Sequence, residues 1–132
     1  MMKSNNSRIN KRRSAYRYGL SAEKLASWYL RFKGYRILAE RYRNGGGEID
    51  IVARKKNTIV AIEVKARRTL AECEESVAPW KQQKIARAVE GLLAGHGAKL
   101  GLANNHDHDI RFDVIWIAPK HWPRHIENAW RM

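Results

Sequence analysis

A chain of 132 residues is long enough for one domain with a real core and short for two. Its formal net charge of +13, from 26 Lys and Arg against 13 Asp and Glu, suits a polyanionic partner bound in a salt-dependent way. The single cysteine rules out an intramolecular disulfide, and no apolar run approaches the roughly 20 residues of a membrane span, so a cytoplasmic setting with no membrane is expected.

Residues 1–15 are polar, basic and without periodicity, which predicts a disordered basic arm ahead of one domain over 16–132. From Tyr16 to Lys33 the pattern is helical. Leu25, Trp28, Tyr29 and Phe32 recur at the spacing of one buried stripe, and Gly34 is placed to cap the helix. Tyr35 to Arg43 reads as a strand, followed by a glycine-rich connection over Asn44–Gly47. Glu48 to Arg54 alternates, with Glu48, Asp50 and Val52 on one face and Ile49, Ile51 and Ala53 on the other. Ile59 to Ala66 is apolar on both faces apart from Glu63 and Lys65, the pattern of a central strand covered on both sides. The turn between these strands falls at Lys55–Thr58, where Asn57 tolerates a left-handed conformation.

Arg67 to Ala78 reads as a loop. Within it Cys73 lies among Glu72, Glu74 and Glu75, whose charge disfavours a thiolate, so an unreactive thiol is expected. Pro79 opens a second helix whose buried stripe is Ile85, Ala88, Val89 and Leu92. A polar loop over Gly95–Asp107 precedes a strand over Ile110–Ile117. The element at His125–Trp130 is left unassigned. The order helix, three strands, helix, strand predicts an α/β sandwich around a mixed sheet.

The chemistry concentrates in Glu48-Ile49-Asp50 and Glu63-Val64-Lys65. With the hairpin turn centred between Lys56 and Asn57, Asp50 falls opposite Glu63 and Glu48 opposite Lys65, all four on one face. Directly opposed Cβ atoms lie about 4.5–5.5 Å apart, where two carboxylates repel. A divalent cation would turn that repulsion into ligation, and hard oxygen donors suit Mg2+, with Mn2+ as a substitute. Asp50 and Glu63 would hold it with the Val64 carbonyl and waters. Lys65 would then orient a water or stabilise the phosphate in the transition state. The plainer alternative is a Glu48–Lys65 ion pair beside a solvated sheet edge.

These segments resemble the YraN-like family of small bacterial endonucleases, within the PD-(D/E)-x-K superfamily and its restriction-endonuclease-like fold. The resemblance runs from about Tyr18 to Trp130 and rests on Gly47-Glu48-Ile49-Asp50-Ile51-Val52-Ala53, Glu63-Val64-Lys65-Ala66-Arg67, Lys81-Gln82, Arg111-Phe112-Asp113-Val114 and Asn128-Ala129-Trp130. It implies that Asp50, Glu63 and Lys65 are the catalytic signature, and that Glu23 of the first helix joins them. Where the family carries Asn before its aromatic-Arg pair, this chain has Arg41 before Tyr42-Arg43.

Other candidates read less sharply. Lys81 falls within the buried stripe of the second helix, where a nearby carboxylate or phosphate would explain it, and Gln82 at its flank is a further catalytic candidate. Arg41, Arg43, Arg54, Arg67 and Arg68 flank the site and, with Lys81, are phosphate-contact candidates. His106-Asp107-His108-Asp109 reads as a polar loop, and Asp113 as a structural aspartate paired with Arg111. Trp28 and Trp116 fit core stripes. The expected function is Mg2+-dependent endonuclease action on DNA, with structured or branched DNA as candidate substrates and a homodimer if both strands are cut. The alternatives are a nucleic-acid-binding protein without turnover and an RNA- or ribosome-associated accessory protein.

Overall fold

The computed structural model describes residues 2–95, 97, 100 and 108–131, and they build an α/β fold in which helices flank a mixed five-stranded sheet. In chain order the elements are α1 (Met2–Phe32), β1 (Arg36–Asn44), β2 (Gly47–Lys55), β3 (Thr58–Ala66), α2 (Leu70–Cys73), α3 (Pro79–Leu93), β4 (Asp109–Ile117) and β5 (Arg124–Trp130). Neighbours in the sheet follow chain order. Only β3–β4 is parallel, with α2 and α3 in the crossover between them. The unassigned C-terminal element is thus the edge strand β5. His106 and Asp107 lie outside the described residues.

Two expectations about the first helix change. α1 begins at Met2, so it takes in the stretch expected to be a disordered arm. No Pro or Gly interrupts residues 2–18, and Lys and Arg are good helix formers, so nothing local stops the helix early. The buried stripe is Ala22, Ala26 and Leu30 rather than the bulky set, and Trp28 and Phe32 are 53% and 80% exposed and stacked on each other at 6.2 Å. Small side chains let the helix lie close on the sheet, a requirement that periodicity alone does not reveal. The helix closes in a Schellman motif. Gly34 (φ +90) is left-handed, Tyr35 N–H donates to the Leu30 carbonyl at 2.9 Å, and Gly34 N–H donates to the Arg31 carbonyl at 3.0 Å.

The core has two halves. Under α1 lie Ile51, Ala53, Val60, Ile62, Ile115 and Ile117; under α3 lie Ile49, Val52, Ile59, Ala61 and Phe112. The α3 stripe Ile85, Ala88, Val89 and Leu92 is buried as expected. On β2 the expected alternation breaks: Ile49 and Val52, three residues apart, both face α3.

The β2–β3 turn has Lys56, not Asn57, at positive φ (+55). A left-handed non-glycine residue costs about 1–2 kcal/mol. Lys56→Gly is therefore expected to stabilise the protein by about 0.5–1 kcal/mol after glycine's own entropy loss. A higher urea midpoint with an unchanged slope would show it.

Candidate active site

The β2–β3 ladder runs in the expected register from Lys55↔Thr58 to Ile51↔Ile62 and then opens. The next positions are Asp50 and Glu63. Beyond the opening, Asp50 Oδ2 accepts the Val64 backbone N–H at 2.8 Å, taking a donor that β2's backbone no longer reaches. A strand residue's N–H and C=O leave on the same side, so the Val64 carbonyl also faces this gap. On the other flank of β2, Arg41 stands across from Asp50, between the pairs Glu40↔Ile51 and Tyr42↔Ile49. Its backbone is left-handed (φ +51). Asn tolerates that conformation better than Arg, which gives a backbone reason for the Asn that the resembled family carries there. The break in alternation on β2 falls at this same point.

Glu63 and Lys65 are both buried, on the α3 side of β3. Glu63 forms an ion pair with Lys81 in the first turn of α3, the carboxylate that the sequence position of Lys81 called for. Burial, then the charge of Asp50, pushes Glu63 up to about 8, although Lys81 pulls the other way. Glu63 thus keeps a proton for much of the time at neutral pH. Lys81 is lowered by burial, but Glu63, Asp50 and Glu48 outweigh that and leave it raised and charged. Burial, then Arg67, lowers Lys65, and among the described residues no carboxylate lies within ion-pair distance of its ammonium.

Glu23 reaches the same region from α1. It is half-buried, forms an ion pair with Arg41 at 3.2 Å, and is raised by burial and then by Asp50. Four elements therefore converge here: α1 with Glu23, β2 with Asp50, β3 with Glu63, Val64 and Lys65, and α3 with Lys81.

Other expected residues fall elsewhere. Glu48 makes no ion pair with Lys65, because the ladder has opened before reaching them; its partner is Arg43 at 4.0 Å. Gln82 donates its amide to the Val77 carbonyl at 2.8 Å, anchoring the entry to α3. Arg54 lies at the turn end of β2, about 13 Å along the strand from Asp50 at 3.3 Å per residue, and donates to the Lys56 carbonyl. Arg67 and Arg68 are exposed just past β3. Trp28, Trp80 and Trp122 are exposed and Trp116 and Trp130 half-buried, so Trp28 is not a core residue. Cys73 is buried and its thiol raised, by burial first rather than by the neighbouring glutamates.

A second aspartate shows the same device in structural use. β4 pairs irregularly with β5 between Phe112 and Val114, and Asp113 Oδ1 accepts the Asn128 N–H at 2.9 Å. Arg111 forks onto both carboxylate oxygens (2.9 and 2.8 Å), and His125 Nε2 lies 2.6 Å from Oδ2. The Asp113–Arg111 pairing expected from the sequence is present. The roles of His125 and of Lys33, 2.7 Å from His125 Nδ1, were not legible there.

The model of the uncharacterised protein family UPF0102 matches residues 22–117, which span Glu23, both carboxylate strands and α3. The chain belongs to that family. A UPF0102 protein of Bradyrhizobium diazoefficiens is 47% identical over 116 residues, covering 88% of this chain and 83% of the relative. One from Parvibaculum lavamentivorans is 42% identical over 118 residues (89% and 84%), and one from Methylorubrum extorquens 40% over 122 (92% and 91%). As a bacterial UPF0102 member the protein has, among its described residues, no helix long and apolar enough to cross a membrane.

The donor set fits a divalent hard cation. Among the described residues no three His, Cys, Asp or Glu side chains lie close enough together to hold one metal ion, so the side-chain donors are the two carboxylates of Asp50 and Glu63. Mg2+ commonly takes one or two carboxylates and keeps several waters.

Proposed function

We propose that this UPF0102 protein is a Mg2+-dependent endonuclease-like enzyme that hydrolyses DNA phosphodiesters. The observation that carries the reading is the opening of the β2–β3 ladder at Asp50. It sets the half-buried Asp50 carboxylate against the backbone of Val64, the residue between the buried Glu63 and Lys65. The resemblance to PD-(D/E)-x-K nucleases assigns the same three side chains, and the charge of +13 suits the substrate.

Asp50, Glu63 and the Val64 carbonyl would hold the ion, which would polarise the phosphate and lower the pKa of a bound water. Lys65, already displaced toward neutrality by burial, is placed to take or give a proton at that water and to offset charge building on the phosphate. Glu23 holds Arg41 beside the site, where its guanidinium is available to a phosphate. Lys81 pairs with Glu63 and would be free to meet a substrate phosphate if an ion took its place there.

The test is cleavage of linear, flap and four-way-junction DNA in Mg2+ and Mn2+ by wild type, Asp50→Asn and Lys65→Ala. Metal-dependent cutting lost in both variants supports the reading. Cutting unchanged in the variants, or none across the panel, overturns it. The Lys81–Glu63 pair favours one second reading, a nucleic-acid-binding protein without turnover, because it satisfies Glu63 with no metal. Binding that is salt-dependent but unaccompanied by cutting would select it.

The Lys81 exchange has its own readout. In Lys81→Met the resident cation is gone, and Mn2+ should bind about tenfold tighter, the equivalent of 1.4 kcal/mol. Calorimetry would measure it. Below about 8 a proton on Glu63 competes with the ion, so wild-type affinity should climb as pH rises and level off above about 8. Affinity independent of pH would contradict the assignment of Glu63 as a ligand.

A further inference from the structure

Beside Val64 lies a second feature, a groove of about 800 Å3 between the N-terminal half of α1 and the segment that follows β3. Val64 and Ala66, the last turns of β3, are on its floor with Pro119. Glu23 and Glu72 are the two carboxylates in its lining, and Lys11, Arg67 and Arg68 stand along its rim. The groove meets the candidate site through two of its lining residues: Val64, whose backbone N–H Asp50 accepts, and Glu23, which feels the charge of Asp50. Its width is set by a tether. The Tyr18 hydroxyl donates to the Arg67 and Ile117 carbonyls at 3.2 and 3.3 Å, so α1 is pinned to the sheet end and cannot stand far off it.

We infer that this groove holds an unpaired strand of the DNA substrate on its way to the carboxylates. This rests on the nuclease reading and adds the substrate class to it. The volume lies in the range of about 300–1,000 Å3 that accommodates compact ligands, the scale of one or two nucleotides. A base-paired duplex, with two backbones and their stacked pairs, is larger than that volume. The lining matches a single strand in kind. Two arginines and a lysine at the rim meet the phosphates, and the apolar floor with the Tyr18 ring meets sugar and base. DNA carrying a flap or splayed arm is therefore the preferred substrate, and blunt duplex a poor one.

The experiment uses full-length protein and fluorescein-labelled single-stranded, flap and blunt-duplex DNA. Binding is measured by anisotropy in the Asp50→Asn background, with and without the rim double variant Lys11→Glu/Arg68→Glu. Cleavage of flap and duplex is measured in the wild-type background. The expected result is that the rim variant loses about tenfold in affinity for single-stranded and flap DNA and less than twofold for duplex, a tenfold change being 1.4 kcal/mol. Wild type should cut flap at least about tenfold faster than duplex, and the rim variant should lose that preference. Equal losses on all three DNAs would reduce the rim to general basic surface and overturn the inference. Equal cutting of flap and duplex would overturn it while leaving the nuclease reading intact. Selective loss of single-strand binding in a protein that cuts nothing would support the groove and sink the nuclease reading instead.

Discussion

Asp113→Ala is expected to cost about 3–5 kcal/mol of stability, the range for removing one member of a buried charged pair. Asp113 is fully buried and accepts from Arg111 twice, from the Asn128 N–H, and from His125. Lys33 donates to His125 Nδ1, which fixes Nε2 as the nitrogen carrying the proton toward Asp113. Removing the carboxylate strands a backbone N–H, an imidazole N–H and a guanidinium whose remaining contacts are the Tyr35 hydroxyl at 2.7 Å and Glu127 at 3.8 Å. The pH dependence has a definite sign. Burial raises Asp113, but His125, Arg111 and the Asn128 N–H outweigh it and hold it below the usual carboxylate range. Its stabilisation is present above the unfolded value of about 3.9 and is lost as pH falls through the lower folded value. Urea titrations at pH 7 and pH 3 should show the variant losing less on acidification than wild type. A loss under about 1 kcal/mol at pH 7 would mean that the network is idle.

Lys65→Met should move activity and stability in opposite directions. Cleavage is expected to fall by about 10²–10³, the usual effect of removing one group that stabilises transition-state charge. The fold should gain about 0.5–2 kcal/mol, because a buried ammonium with no ion-pair partner among the described residues gives way to an apolar chain of similar length. The lowering of Lys65 by burial gives the sign, since the charged form is disfavoured in the folded protein. An alternative in which Lys65 only props up the sheet predicts the reverse: lower stability with cleavage falling in proportion to the folded fraction. Thermal unfolding beside single-turnover cleavage separates the two.

What was legible in the sequence followed from short-range rules. The hairpin register was readable because a two-residue turn fixes which residues face each other, and it holds from Lys55 to Ile51. The α3 stripe and its Pro79 start were readable from helical periodicity. What failed depended on contacts between elements. Trp28 and Phe32 share a spacing with buried residues, yet the sheet accepts only the smaller Ala22 and Ala26 face. The Glu48–Lys65 opposition assumed that a ladder continues, whereas Arg41, left-handed on the neighbouring strand, marks the place where it stops. Gln82 is a catalytic candidate by its place at the flank of the α3 stripe, and the sequence does not reveal that its amide donates to the Val77 carbonyl, five residues back. The third side of the site, Lys81 on Glu63, was half legible, as a lysine on a face where lysine needs a reason.

The glycine that opens β2 sets how closely the layers of this protein meet. Gly47 lies so near α3 that even a methyl group there would run into the backbone of Lys84 and Ala88. At this point strand and helix meet backbone to backbone, and beyond it Ile49 and Val52 share the core with Ile85 and Val89, so the seat of β2 on α3 sets where Asp50 stands relative to Lys81. α1 rests on the other face through Ala22 and Ala26, a smooth contact with few ridges to lock it. What fixes α1 over the sheet is therefore polar: the Tyr18 hydroxyl on the carbonyls past β3 and β4, and the Glu23–Arg41 pair.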